Sequence, residues 1–323
     1  MTVFLDFRLK EIADYRCIDK WPDAETFERL LQRAEGLFIW IATVCDYIAS
    51  RISPDEELEQ LLDDTRHGQL PPEEKIDSLY SAIMAKCDWD DIHFTSGYAT
   101  SMGFLVVQQT PLTIDTLGRL SPTKRTVQQI LLQLGSLVTG LMDAEQPAQI
   151  LHGSYRDYLV GRARDPQRIA PEVHHQCLAL HCMEFAGATF SPSRMAECEY
   201  SENWSPDGAP PPTVPEFFEE IHWYAVNFWM AHLTAILSWD PTLERTVTNF
   251  LNDELTHWIE FMVSKLTYQS LIPLHKWTQV SAIPPKSPQS AHQSFTRLLP
   301  LDLPCHHLSG FNRYNVSYAF YAA

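Results

Sequence analysis

Apolar positions at three-to-four spacing dominate the chain, and prolines punctuate them. Trp21-Pro22-Asp23 predicts a helix start, with Pro22 in the first turn and Asp23 and Glu25 at the positive end of the dipole. Leu30, Leu31 and Ala34 continue that helix, and Gly36 interrupts it. Leu37 to Ile48 (LFIWIATVCDYI) is the most apolar window, but it contains Asp46. A membrane-spanning helix needs ~20 apolar residues, so this shorter run predicts a buried core helix that ends before Ser53-Pro54. Leu58, Leu61 and Leu62, then Ile76, Leu79, Tyr80 and Ile83, predict amphipathic helices. The N-terminal MTVFLDFRLKEI instead alternates apolar and charged residues and lacks the apolar stretch of a secretory signal.

From Phe94 the pattern changes. A helix around Ser96–Val107 meets Thr110-Pro111, a short helix at Ile114–Leu120 follows a Thr113 cap, and a longer one runs from Thr123 to about Leu134. Two β-like runs follow, Ser136–Met142 and Ala148–His152, joined by the polar turn Asp143–Pro147. Three helices and then a hairpin is the order of a winged-helix domain. Helices are predicted next at Pro171–Ala188, Phe217–Leu237, Pro241–Asn252 and Leu255–Leu266. Between them Ser191 to Pro215 is too poor in apolar residues to pack and reads as a disordered loop. After Thr278 the Ser/Pro/His mixture has no periodicity, and no repeat of 20–50 residues occurs. The fold expected is mainly α. A helical lid-like segment occupies 1–52, acidic helices and a winged helix with its small hairpin occupy 53–165, a helical arm covers 166–278, and a poorly ordered tail covers 279–323.

Charge narrows the partners. The chain carries 24 Lys/Arg against 41 Asp/Glu, a net −17, which speaks against generic nucleic-acid or anionic-membrane binding. Residues 53–91 hold 12 acids against three bases, so over half the excess sits on the outer faces of those helices. Within 110–140, Arg119, Lys124 and Arg125 stand against Asp115, too weak a footprint for a DNA-binding winged helix. The seven cysteines are scattered and odd in number, as in a reducing compartment. A cytoplasmic protein is expected.

Few residues carry catalytic patterns. The nearest approach to a phosphate-binding G-x-x-x-x-G-K-[ST] loop is Gly135…Gly140, but Leu141-Met142 follow it, with neither the lysine nor the hydroxyl. Metalloprotease, nucleophile-elbow and dinucleotide signatures are absent. His174, Cys177 and His181 share a helical face within HHQCLALHC, so three ligands could converge. Their alternation with Leu178, Leu180 and Met183 reads more simply as a packed helix, and no metal is expected. Asp88-Trp89-Asp90-Asp91 lacks the spacing of a calcium loop and reads as a solvated helix end. His67, His93 and His232 stand alone in the sequence. His152, at the end of the second β-like run and directly before a helix, has two readings: a helix cap packed in its domain, or a sensor of a bound group.

Six segments together resemble the fungal NACHT-domain proteins of the STAND class of signalling NTPases. They are Trp21-Pro22 with AEGLFIWIATVCDYI, EEKIDSLYSAIM, TPLTIDTLGRL, ILHGSYRDYL, HHQCLALHCMEF and WYAVNFWMAHL, collinear over about residues 3–278. In that family a nucleotide-binding core precedes a lid, a winged helix and a helical arm, and sensor repeats often follow. The resemblance implies that this chain corresponds to the middle of that architecture, after the Walker A and Walker B elements and before any sensor repeat. It is therefore expected not to be an enzyme by itself and to hold no cofactor, ADP or ATP entering only with a NACHT core supplied upstream. Gly36-Leu37-Phe38 matches the lid's glycine-containing motif, without the proline many members carry there. Leu151-His152 matches the winged-helix element whose histidine touches the ADP β-phosphate in related proteins, and Asp157 would help orient the helix that follows. Expected partners are the NACHT core, sensor repeats and further copies on activation, with neither nucleic acid nor membrane. A stand-alone interaction adaptor or truncated remnant is the alternative, and a winged-helix transcription factor a weaker one.

Overall fold

The computed structural model describes residues 1–63, 71–121, 127–189, 218–238, 241–264 and 269–281. It is mainly helical, with 14 helices and one two-stranded sheet among those residues. The chain divides into two compact units, Met1–His174 and His175–Ala323.

In the first unit, α1 (Thr2–Arg16) replaces the alternating segment expected at the N-terminus. Its buried residues Leu5, Leu9, Ile12 and Ala13 recur at helical spacing and pack on α3, while Val3, Phe7 and Tyr15 face solvent. Helix α2 (Ala24–Ala34) begins one residue after Asp23, whose side chain accepts the Thr26 amide at 2.7 Å. Pro22 thus precedes the helix rather than filling its first turn. Helix α2 ends with Glu35 at φ 45° and Gly36 at φ 87°, left-handed positions that turn the chain into α3 (Phe38–Ala49). The apolar α3 is the predicted core helix, with Trp40, Ile41, Val44, Cys45, Tyr47 and Ile48 buried. Around it pack α1, α2, α4 (Pro54–Asp63) and α5 (Pro72–Met84). Arg29 of α2 bridges Glu59 and Asp63 of α4, both at 2.8 Å.

Helix α6 (Ile92–Val107) is capped by Asp91, whose carboxylate accepts the His93 amide at 2.8 Å. Helix α7 (Ile114–Leu120) starts at the expected Thr113 cap, whose hydroxyl accepts the Thr116 amide. Helix α8 is described over Val127–Leu132, so the expected start at Thr123 lies outside the described residues. The β-like runs shrink to β1 (Val138–Thr139) and β2 (Gln149–Ile150), antiparallel with Val138 opposite Ile150, plus a bridge from Leu112 to Ala148. At Gly140, φ 78°, a side chain would collide with the Pro147 carbonyl, so the backbones close tightly just past the strands. Helix α9 (Gly153–Asp157) passes into a π-helical turn over Tyr158–Arg162, and α10 spans Pro171–Thr189.

In the second unit, α11 (Glu220–Thr234), α12 (Pro241–Asp253) and α13 (Leu255–Ser264) form where predicted, and α14 (Ile272–Ser281) adds a helix the sequence reading lacked. Trp229 of α11 is buried against Phe250 and edge-on to Trp258, whose indole N–H donates to the Val226 carbonyl at 2.8 Å. The Trp277 indole of α14 donates to the Ile236 carbonyl at 2.6 Å. The loop expected at 191–215 and the tail beyond Ser281 lie outside the described residues. No described helix is long and apolar enough to cross a membrane.

Candidate functional site

His152 sits between β2 and α9 with extended backbone, φ −147° and ψ 142°, and caps α9 by its side chain. Its Nδ1 accepts the Ser154 amide at 3.1 Å and lies 2.8 Å from the Ser154 hydroxyl. An N–H can be received only by a ring nitrogen bearing a lone pair, so Nδ1 carries no hydrogen. The Ser154 hydroxyl is then the donor to the ring, and Tyr80 of α5, 2.7 Å from Ser154 Oγ, donates to that hydroxyl. The neutral ring consequently holds its proton on Nε2. The residue is exposed, so the capping half of its structural reading holds and the packing half does not.

The wall beneath it is built from tyrosines. Tyr155 is wholly buried, its ring 4.9 Å from Tyr80 and its hydroxyl directed at Met84 Sδ. Tyr158 bonds Ser81 at 2.7 Å and donates to Gln167 Oε1, and Tyr98 donates to the Gln167 carbonyl at 2.8 Å. Burial pushes the phenols of Tyr80, Tyr98, Tyr155 and Tyr158 up, so all four stay neutral donors. Arg162, just past them, holds Asp77 of α5 through two bonds at 2.6 and 3.0 Å. The segments EEKIDSLYSAIM and ILHGSYRDYL, far apart in sequence, therefore form one surface. Asp157, expected to orient the following helix, lies where α9 gives way to the π-turn.

Gly36 is exposed at the end of α2, and open space surrounds the position of its missing Cβ. Glu35 beside it pairs with the buried Lys75 of α5 at 2.7 Å. Both candidate positions are thus attached to α5, one through Lys75 and the other through Tyr80.

The remaining candidates disperse. His174 packs edge-on to Phe104, and a side chain at Gly103 would strike its ring. Cys177 Sγ lies 4.0 Å from His181 Nδ1, and Cys182 is buried. Among the described residues, no three His, Cys, Asp or Glu side chains converge as metal ligands. Asp91 of the acidic run serves as the α6 cap, and Trp89 turns inward onto Phe94 and Tyr98. His67 lies outside the described residues, and His93 is an exposed residue of α6.

His232 is not alone, contrary to its appearance in the sequence. It is fully buried, with Nδ1 2.9 Å from His175 Nδ1 and Nε2 2.8 Å from the Tyr224 hydroxyl. Burial, reinforced by His175, lowers its pKa to about 3. Neither partner was visible from spacing, since they lie 57 and 8 residues away.

No family model, curated protein or solved structure matches this chain.

Proposed function

We propose that this chain is the regulatory region of a NACHT-type signalling NTPase: a helical lid, a winged helix and a helical arm that couple nucleotide state to oligomerisation. The observation that carries the reading is His152. Its ring is anchored through Nδ1, leaving an exposed residue whose Nε2–H can donate to a phosphate oxygen. The helix order and the β1–β2 hairpin, to which Leu112 adds a bridge at Ala148, support the winged-helix assignment. The left-handed Glu35–Gly36 turn between α2 and α3 supports the lid assignment.

In this reading the chain performs no catalysis itself. A NACHT core supplies ADP or ATP, His152 donates to the ADP β-phosphate in the resting conformer, and rotation of the domains withdraws it. Sensor repeats bias the same two states, and the released state associates with further copies in the cytoplasm. When the chain is joined to a NACHT core, His152→Ala is expected to raise basal oligomerisation in the presence of ADP. A resting state identical to wild type would overturn the sensor role.

A further inference from the structure

Lys75 stands in the first turns of α5, where the helix dipole disfavours a cation, and its side chain is only 3% exposed. A buried ammonium depends on its counter-charge. Among the described residues the carboxylate at ion-pair distance is Glu35, itself 57% exposed and left-handed. The turn at Glu35–Gly36 is therefore drawn onto α5 by the charge that α5 buries.

Five residues further along, Tyr80 leaves the same helix to hold Ser154, and with it the His152 ring. Five residues advance a helix by roughly 7.5 Å and turn it by roughly 140°, so the two tethers depart from well-separated faces. Asp77–Arg162 and Ser81–Tyr158 fasten the second face. A shift of α5 along its axis, or a rotation about it, therefore moves both tethers together.

We infer that α5 couples the Gly36 turn to the His152 cap, with Glu35–Lys75 fixing the helix and Tyr80, a positioning residue, transmitting its placement through Ser154. The purpose of this coupling, one regulated nucleotide site, rests on the function proposed above, whereas the coupling itself belongs to this chain alone.

The test is hydrogen exchange of the Ser154 amide in the full chain without nucleotide, so its outcome is independent of whether His152 ever meets a phosphate. Glu35→Gln, far from Ser154 in sequence, is expected to speed that exchange by about threefold or more, the scale of a modest coupling between sites. Tyr80→Phe is expected to do the same. Arg29→Gln, which breaks the α2–α4 pairs without touching α5, should leave Ser154 unchanged, and the buried Met102 of α6 should exchange alike in all variants. Unchanged Ser154 exchange in Glu35→Gln overturns the inference. Equal acceleration in Arg29→Gln, or at Met102, reveals general loosening and overturns it as well.

Discussion

Tyr80 hydrogen-bonds Ser154 at 2.7 Å across 74 residues of sequence, and Ser154 in turn offers both its amide and its hydroxyl to His152. The cap of a five-residue helix is thereby tied to a longer helix in the acidic region. This relationship makes the candidate sensor part of a framework rather than a side chain on a loop, and it divides the role of His152 into two separable parts.

The first part is capping. His152→Ala removes the acceptor for the Ser154 amide and is expected to cost about 0.5–1 kcal/mol. Asparagine supplies another cap oxygen, so His152→Asn should recover most of that stability. Urea unfolding of the three proteins checks the order.

Tyr155 should be the most sensitive position beneath the cap. Truncating this wholly buried ring leaves a cavity among Tyr80, Tyr158 and Met84, and Tyr155→Ala is expected to destabilise by about 3–5 kcal/mol. Tyr155→Phe loses the hydroxyl's contacts to the Met84 sulfur and to Tyr98 and should cost about 1 kcal/mol. Denaturant midpoints distinguish the two.

Two left-handed glycines predict unequal penalties. At Gly36 an added Cβ meets open space, so Gly36→Ala pays backbone strain alone, about 1 kcal/mol. At Gly140 the same change adds a collision with the Pro147 carbonyl, and about 2–3 kcal/mol is expected. Equal thermal shifts for the two variants would contradict this difference.

His232 predicts an acid-labile second unit. The unfolded histidine titrates near pH 6.5, whereas the folded one is held neutral down to about 3. Between those values the unfolded chain binds the extra proton, so this contribution is complete above pH 6.5 and drains away as pH falls toward 3. At pH 4.5 the loss is at most about 3 kcal/mol. Hydrogen exchange of α11 amides should show it, and His232→Gln should flatten the pH dependence.

The legible parts of the fold were those with local chemistry. Thr113 announced a helix start because a short polar side chain before an apolar run serves the free amides there. Asp23, expected as a charge inside the first turn, is itself the cap one residue before α2. The run at Leu37 announced a core helix through sheer apolarity. Helix α1 was hidden because Val3, Phe7 and Tyr15 are apolar yet exposed, which masks the Leu5–Leu9–Ile12 stripe behind an apparent alternation. The position of His152 before a helix was readable, and so was its capping role. Its link to Tyr80, like the pairing of His175 with His232, depends on packing between distant segments, and a lone hydroxyl or imidazole carries no periodic signal of its partner.

The most direct test of the central claim uses His152→Asn, which keeps the cap while removing the imidazole. With the chain joined to a NACHT core, ADP and ATP affinities of wild type and variant are compared by calorimetry. Loss of one hydrogen bond to a charged phosphate predicts ADP binding weakened about tenfold or more, with ATP binding unchanged. Equal ADP affinities would show that His152 is a helix cap and nothing further.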